Sequence, residues 1–354
     1  MSAAPGAPTA PEPALDERVA SRGVLDRLAR RPELGALLGA LAVLVLFTAV
    51  DTTGSFLSLS GVARWTDSAA SIGIVAVFVA LLMIGGEFDL SAGVMVGSTG
   101  LVMGMLVTQV NLSIWPAIVL TFVFAAGVGA LNGWLVVTTR LPSFIVTLAM
   151  FFSLQGINLG LTKLVTGTVR VSGLGQATGF DSASAVFAGT FGGGYQFRMS
   201  LVWWLLFTVL ATWVLTRVRF GSWVQAVGGD QVAARNVGVP VTSTKITLFM
   251  GTSMAAAFVG VTTALRLESV QAGQGVGEEF TFIIAAVVGG CLLTGGFGSA
   301  VGASIGASII GMAFIGIAYA GWNTDWSFLF LGLILFLAVM VNTLISRRVA
   351  GGTK

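Results

Sequence analysis

The sequence predicts an all-α membrane protein of about ten transmembrane helices with both termini cytoplasmic. Three observations carry that prediction. The first is composition: 55% of the 354 residues are apolar and only 9% are charged, with a mean hydropathy of +0.94, whereas a soluble domain carries roughly 25% charged residues. The second is the recurrence of charge-free apolar runs of about 17 to 25 residues, the length a helix needs to cross the hydrocarbon core. In lipid every backbone polar group has to be satisfied internally, so such runs form helices. A membrane β-barrel would instead alternate polar and apolar positions in segments of about ten residues. The third is the distribution of basic residues.

In chain order, residues 1–33 hold Pro5, Pro8, Pro11 and Pro13 among Ala, Ser and charged residues. This composition buries too little apolar surface to order itself, and a disordered cytoplasmic tail is expected. The apolar run 34–50 is long for a signal-peptide core and no convincing small-residue cleavage pattern follows it, so it is read as the first retained helix. Further runs follow at 68–86, 92–109, 115–137, 143–162, 200–216, 246–265, 280–293, 299–319 and 327–345. The run at 280–293 is short and flanked by glycine, and only a glycine-rich turn separates the second run from the third. A transmembrane domain over 34–346 is expected, with a short cytoplasmic tail at 347–354.

Threading ten spans from a cytoplasmic amino terminus puts Arg18, Arg22, Arg27, Arg30, Arg31, Arg140, Arg217, Arg219, Arg235, Lys245, Arg347, Arg348 and Lys354 inside. Outside remain Arg64, Lys163, Arg170, Arg198 and Arg266, and thirteen against five is the asymmetry of a correct threading. The net charge of +3 is thereby a matter of topology, and no nucleic acid is needed to explain it. The longest external connection is 163–199, with room for a short helix. The longest internal connection is 217–245. Ten helices divide into two halves of five, and a repeat of five is inverted in the membrane. The sequence neither shows nor excludes one: the similar pairs Gly85, Gly86 and Gly295, Gly296 both fall inside.

Several chemistries are excluded or disfavoured. The chain has no His and a single Cys, Cys291, so a catalytic His, a His-based metal site and an internal disulfide have no residues to use. Cys291 lies in an apolar run and is expected to pack as a small hydrophobe. The three Lys, at 163, 245 and 354, are each preceded by Thr and never by Gly, so no G-x-x-x-x-G-K-[ST] phosphate loop exists. An enzyme is therefore not expected, and no cofactor is expected on this chain. No span has an acid or base near its middle, which disfavours a proton-coupled carrier and leaves an ion-coupled carrier or a channel, using carbonyls and hydroxyls, as the alternative.

The polar residues that remain are few. Glu87, Asp89 and Ser91 stand in Met83-Ile-Gly-Gly-Glu-Phe-Asp-Leu-Ser-Ala-Gly93. Asp89 or Ser91 is suited to accept from the free N–H groups that open the third helix; alternatively these acids bind solute hydroxyls or form a gate. Asn132, Gln155 and Asn158 fall within spans and suit either helix packing or hydrogen bonding to an uncharged, hydroxyl-rich solute. Trp65, Trp115, Trp203, Trp204, Trp322 and Trp326 lie near helix ends and are expected to anchor at the headgroups. In the loop Arg219-Phe-Gly-Ser-Trp-Val-Gln-Ala-Val-Gly-Gly-Asp-Gln-Val-Ala-Ala-Arg-Asn-Val-Gly-Val-Pro240, Asp230 caps a short helix and Gly238 ends it. That helix presents Val232, Ala233, Ala234 and Val237, small apolar groups that call for a partner surface.

From about residue 68 to 346 the chain resembles the ribose, galactose and xylose type of bacterial ABC importer permease. Four stretches carry the resemblance: Gly85–Gly93; Asn132-Gly-Trp-Leu-Val-Val with Leu141-Pro-Ser-Phe-Ile-Val-Thr-Leu148; Ala226-Val-Gly-Gly-Asp-Gln-Val-Ala-Ala-Arg235 with Gly238; and Ala285-Ala-Val-Val-Gly-Gly290 with Gly295-Gly-Phe-Gly-Ser299. Two positions depart from the pattern, Asp230 where the family usually has Asn and Glu87-Phe88 in a segment that often reads Gly-Gly-Ile-Asp-Leu-Ser. The resemblance implies that Gly229, Asp230, Ala233, Ala234, Arg235 and Gly238 belong to a coupling helix fitting a groove on a separate ATPase. It also implies a multi-pass protein of the bacterial plasma membrane, embedded in lipid. Its partners would be an ATPase with two nucleotide-binding halves, which holds the ATP and Mg, a sugar-binding protein outside the membrane, and a second permease copy, so that a homodimer surrounds the path.

Overall fold

The computed structural model describes residues 32–351, with side chains through Met340. The tail expected at 1–33 lies outside the described residues except for Pro32 and Glu33, which open the first helix, and so do Gly352, Thr353 and Lys354.

The described chain is helical almost throughout. Its helices are α1 (Pro32–Val50), α2 (Leu59–Ile84), α3 (Ala92–Thr108), α4 (Ile114–Thr139), α5 (Ser143–Thr166), α6 (Phe180–Phe187) and α7 (Met199–Arg217). They continue as α8 (Arg219–Gly229), α9 (Gln231–Asn236), α10 (Val241–Leu267), α11 (Glu278–Val288), α12 (Ala300–Tyr319) and α13 (Ser327–Gly351). Three short 3-10 helices (Leu174–Gln176, Gly193–Tyr195 and Thr324–Trp326) and two small antiparallel pairs accompany them: β1 (Arg170–Ser172) with β4 (Ser269–Gln271), and β2 (Thr190–Phe191) with β3 (Phe197–Arg198). The connection expected at 163–199 thus holds the short helix α6, and that expected at 217–245 holds α8 and α9.

Each of the ten expected runs contains a helix, and among the described residues seven of those helices are long and apolar enough to cross a membrane. Two of the others correct the simple span count. At 1.5 Å per residue the 11 residues of α11 rise only about 16 Å, half of a hydrocarbon core. Glycine sets its start and its stop: Gly277 with φ 94° precedes it and Gly290 with φ 91° follows it. The 17 residues of α3 likewise begin partway along their neighbour α5, after an extended stretch.

Small residues fix the packing. A Cβ at Gly129 of α4 would stand 2.7 Å from Met250 Cα, and one at Gly133 2.7 Å from Ile246 Cα, so α4 lies backbone to backbone along α10. On the other side a Cβ at Gly311 of α12 would stand 2.6 Å from Ala69 N, so α12 lies along α2 in the same manner. Such close approach is how helices associate where lipid removes the hydrophobic driving force. The two pairs correspond under an exchange of the halves α1–α5 and α7–α13. In the first half the long helix α2 turns at Gly86, climbs back as extended chain and becomes α3; in the second, α10 turns at Glu268, comes back as extended chain and becomes α11. Because α2 and α10 run antiparallel, with Gly85 beside Leu248 and Phe78 beside Gly251, the repeat is inverted, the arrangement in which half-helices meet inside a membrane.

One row of glycines positions that meeting. Gly93, Gly97, Gly100 and Gly104 recur on one face of α3: Gly104 faces Val171 of β1, and the chain 269–279 lies against the other three, with Gly100 facing Val270, Gly97 facing Gln274, and Gly93 facing Gly275 and Glu279. The α3 and α11 amino termini therefore abut, with the helices leading away in opposite directions. The outer helices α1, α4, α5 and α7 carry exposed Leu38, Val45, Val123, Phe152 and Val209, apolar faces suited to lipid. One tryptophan departs from the anchoring expected of it: Trp204 is buried, its indole lying against Gly73 of α2, because that glycine leaves room for a ring in the helix contact.

Candidate functional site

The hairpin of α8 and α9 lies at the end of the molecule where α2 stops and α10 begins. Asp230 accepts hydrogen bonds from Val232 N and Ala233 N at 2.8 and 2.9 Å, the capping role its sequence position indicated. Gly238, with φ 84°, ends the helix in a left-handed conformation. Val232 and Val237 are 70% and 79% exposed, and Ala233 and Arg235 are exposed beside them. Ala234 corrects the expected presentation of four apolar residues: it turns inward against Val227 and Val241 and holds α9 to α8 and α10. At 3.6 residues per turn successive side chains point about 100° apart, so Val232, Ala233 and Ala234 cannot share one face.

Behind this exposed row the hairpin is wedged into the rest of the fold. Gly296 N donates to Ile84 O at 2.8 Å, closing the α11–α12 connection onto the end of α2. Gly228 of α8 lies between them: a Cβ there would stand 2.7 Å from Gly296 N and would run into Ile84 O. A Cβ at Gly295 would stand 2.8 Å from Gly86 Cα and 2.9 Å from Gly228 O. Gly86, Gly295 and Gly296 all have positive φ, 81°, 83° and 76°, so both their conformation and their spacing require glycine. The two Gly-Gly pairs that look alike in the sequence are thus in contact with each other and with α8.

A polar chain runs inward from the same place. Lys245 Nζ donates to Gln231 Oε1 of α9 at 3.0 Å and forms an ion pair with Glu87, and both charged side chains are more than nine-tenths buried. Glu87 begins the extended stretch before α3, whose N–H groups are satisfied by hydroxyls of α5: Phe88 N donates to Ser143 Oγ and Leu90 N to Thr147 Oγ1, each at 3.0 Å. Non-helical backbone at membrane depth is tolerated where protein groups take its hydrogen bonds in this way. Asp89 Oδ1 then accepts from Ser91 N at 2.8 Å and Ser91 Oγ at 2.5 Å, while Asn132 Nδ2 donates to Ser91 Oγ at 3.0 Å. Asp89, Ser91 and Asn132 are fully buried, and Asp89 Oδ2 and Asn132 Oδ1 have no partner among the described residues. Gln231, Lys245, Glu87, Asp89, Ser91 and Asn132 therefore form a sequence of groups from the exposed helix into the interior.

At the opposite end Asp67 takes Arg266 at 2.8 Å, Arg198 at 3.7 Å and Ser200 Oγ at 3.0 Å. Asp67, Arg198 and Arg266 line a cavity of about 420 Å³ with Arg64 and Tyr195. Among the described residues no group of three His, Cys, Asp or Glu is placed to hold a metal ion.

The family model for the branched-chain amino acid transport system / permease component matches residues 61–339. The chain belongs to this permease family. Two relatives from Escherichia coli strain K12 are each 30% identical to it: the xylose transport system permease protein XylH, over 88% of this chain and 92% of the relative, and the ribose import permease protein RbsC, over 85% and 92%. The inner membrane ABC transporter permease protein YjfF of the same strain is 29% identical over 77% of this chain and 80% of its own. No solved structure matches significantly.

In this permease the residues singled out from sequence fall in three places. Gly229, Asp230, Ala233, Arg235 and Gly238 sit on or beside the exposed rim of α9, with Ala234 behind it. Glu87, Asp89, Ser91 and Asn132 are brought together as described. Asn158 is apart from them, its Nδ2 donating to Ser98 Oγ at 3.0 Å to tie α5 to α3, and Gln155 stands partly exposed on α5. Sequence reading counted Lys245 only as a topological charge and passed over Gln231. The available signal was that Lys245 is one of three lysines and opens an apolar run, where an ammonium group needs a partner.

Proposed function

We propose that the chain is one of two identical permease subunits of an ATP-driven importer in the bacterial inner membrane, moving a monosaccharide or a similar small hydroxylated solute. A separate ATPase with two nucleotide-binding halves holds ATP and Mg; this chain binds no cofactor and hydrolyses nothing. Sugar transport follows from the xylose and ribose relatives together with the neutral polar residues of the spans. The α8–α9 end is cytoplasmic, as are both termini, and a sugar-binding protein docks at the opposite end over the cavity of Arg64, Arg198 and Arg266.

The observation that carries the reading is the position of Gly228. A push on the exposed Val232, Ala233 and Val237 cannot be absorbed within the hairpin, because Gly228 is in backbone contact with the end of α2 and with the α11–α12 connection, to which the half-helices α3 and α11 are joined. Nucleotide-driven closure of the ATPase would therefore shift those segments together. That is a two-state change biased by a partner, with packed backbone as its lever.

The test is uptake of radiolabelled D-xylose and D-ribose by vesicles containing the whole complex. Ala233→Glu forces a charge into a close protein contact; it leaves the permease folded in the membrane and stops uptake. Unchanged uptake in that variant would refute coupling through α9, and uptake that followed an ion gradient without ATP would establish a stand-alone carrier.

A further inference from the structure

The chain from Gln271 to Phe280 is not helical until Glu278, lies at membrane depth, and is exposed. Its depth follows from its neighbours: it passes Gly100, Gly97 and Gly93 of α3 in turn. Glu278 stands at the start of α11, about 16 Å from that helix's far end. Its backbone folds through successive tight turns, Gln274 N donating to Gln271 O at 3.1 Å, Val276 N to Gly273 O at 3.4 Å and Glu278 N to Gly275 O at 3.1 Å. Ala272, Gly275 and Glu279 point inward, whereas Gln271, Gly273, Val276, Gly277, Glu278 and Phe280 are exposed and Gln274 is partly so. The side chains of Gln271, Gln274 and Glu278 have no hydrogen-bond or ionic partner among the described residues.

Hydrocarbon does not accommodate such a face. Irregular backbone at this depth exists only where it is buried in protein or lines water, and a carboxylate facing hydrocarbon at the bilayer centre is strongly disfavoured. The equivalent stretch before α3 is covered by hydroxyls of α5; among the described residues no side chain covers Gln271, Gln274 or Glu278 in this way. We propose that Gln271, Gln274 and Glu278 line the water-filled solute path, closed on its other side by a second copy of this chain, and bind the hydroxyl groups of an uncharged polyhydroxylated solute. The Glu278 carboxylate accepts from two neighbouring hydroxyls, and the Gln amides donate and accept beside it. The identity of the solute rests on the import function proposed above; the wetness of the face does not.

Two readouts separate these. In a Cys291→Ala background, Gln274→Cys, Glu278→Cys and, as a lipid-facing reference, Val209→Cys are treated in intact membranes with a charged, water-soluble methanethiosulfonate. Thiolate is the reacting form and needs water, so Cys at 274 and 278 reacts at least about tenfold faster than Cys at 209. Reaction at the reference rate would overturn the proposal. In complexes that transport D-xylose or D-ribose, Glu278→Gln raises KM by about tenfold or more while ATPase activity persists. Unchanged KM with fast labelling would overturn the contact with solute. If the wild-type complex moved neither sugar, neither would be its solute, and the labelling would still decide whether the face lines water.

Discussion

At the scale of single residues the decisive group is Lys245. Its pairing with Glu87 is buried on both sides and has Gln231 as its one further partner among the described residues. A buried pair contributes little over an apolar replacement, but removal of one member strands the other and costs about 3–5 kcal/mol. Lys245→Met should therefore lower the thermal denaturation midpoint of the purified permease markedly, and Glu87→Gln combined with Lys245→Met should recover most of the loss. If the pair also transmits motion, the recovered double variant keeps ATPase activity in the complex but loses most of its uptake; full uptake would confine the pair to stability. Adjacent glycines provide a second contrast. Gly228→Ala places a methyl group against Ile84 O, and overpacking of this kind costs about 1–3 kcal/mol, whereas a Cβ at Gly229 meets nothing within 4 Å. The first substitution should lower the denaturation midpoint, while the second leaves it unchanged.

At the scale of elements, α9 depends on its ends. Asp230→Ala removes the acceptor for Val232 N and Ala233 N, a loss of about 1 kcal/mol, and hydrogen exchange of the α9 amides should quicken while the spans stay protected. Exchange unchanged in α9 would show that Val227 and Val241, through Ala234, hold the helix without its cap. These elements also mark how far the sequence was legible. Asp230 and Gly238 announced α9 because capping is local, and the ten apolar runs announced their helices because hydropathy is local too. The half-helices were not legible: a run such as 280–293 has the same hydropathy whether it spans the membrane or starts in its middle, and the chain 269–277, with its Gln and Gly, reads as an external connection. Tertiary contact with the glycine face of α3 brings it to depth. The partnership of Lys245 with Glu87 was equally hidden, since the two lie in different halves of the chain.

At the scale of the whole molecule, two inverted halves place two half-helix amino termini side by side, and the end of α2 and the α11–α12 connection both close onto Gly228 of the α8–α9 hairpin. The similarity of the two Gly-Gly pairs does not reflect the repeat; they meet because both close onto the same hairpin, and the repeat shows instead in α2 with α3 against α10 with α11. One end of the molecule thus exposes the apolar Val232 and Val237 while the other presents Arg64, Arg198 and Arg266 around Asp67, and the polar groups lie between. The measurement that bears most directly on this arrangement is a mild-detergent purification of the tagged permease from its native membrane, wild type beside Ala233→Glu, with identification of the proteins that accompany each. The expected result is a soluble ATPase with two nucleotide-binding halves that accompanies the wild type and is lost with the variant. An ATPase bound equally to both, or to neither in several detergents, would contradict docking through α9.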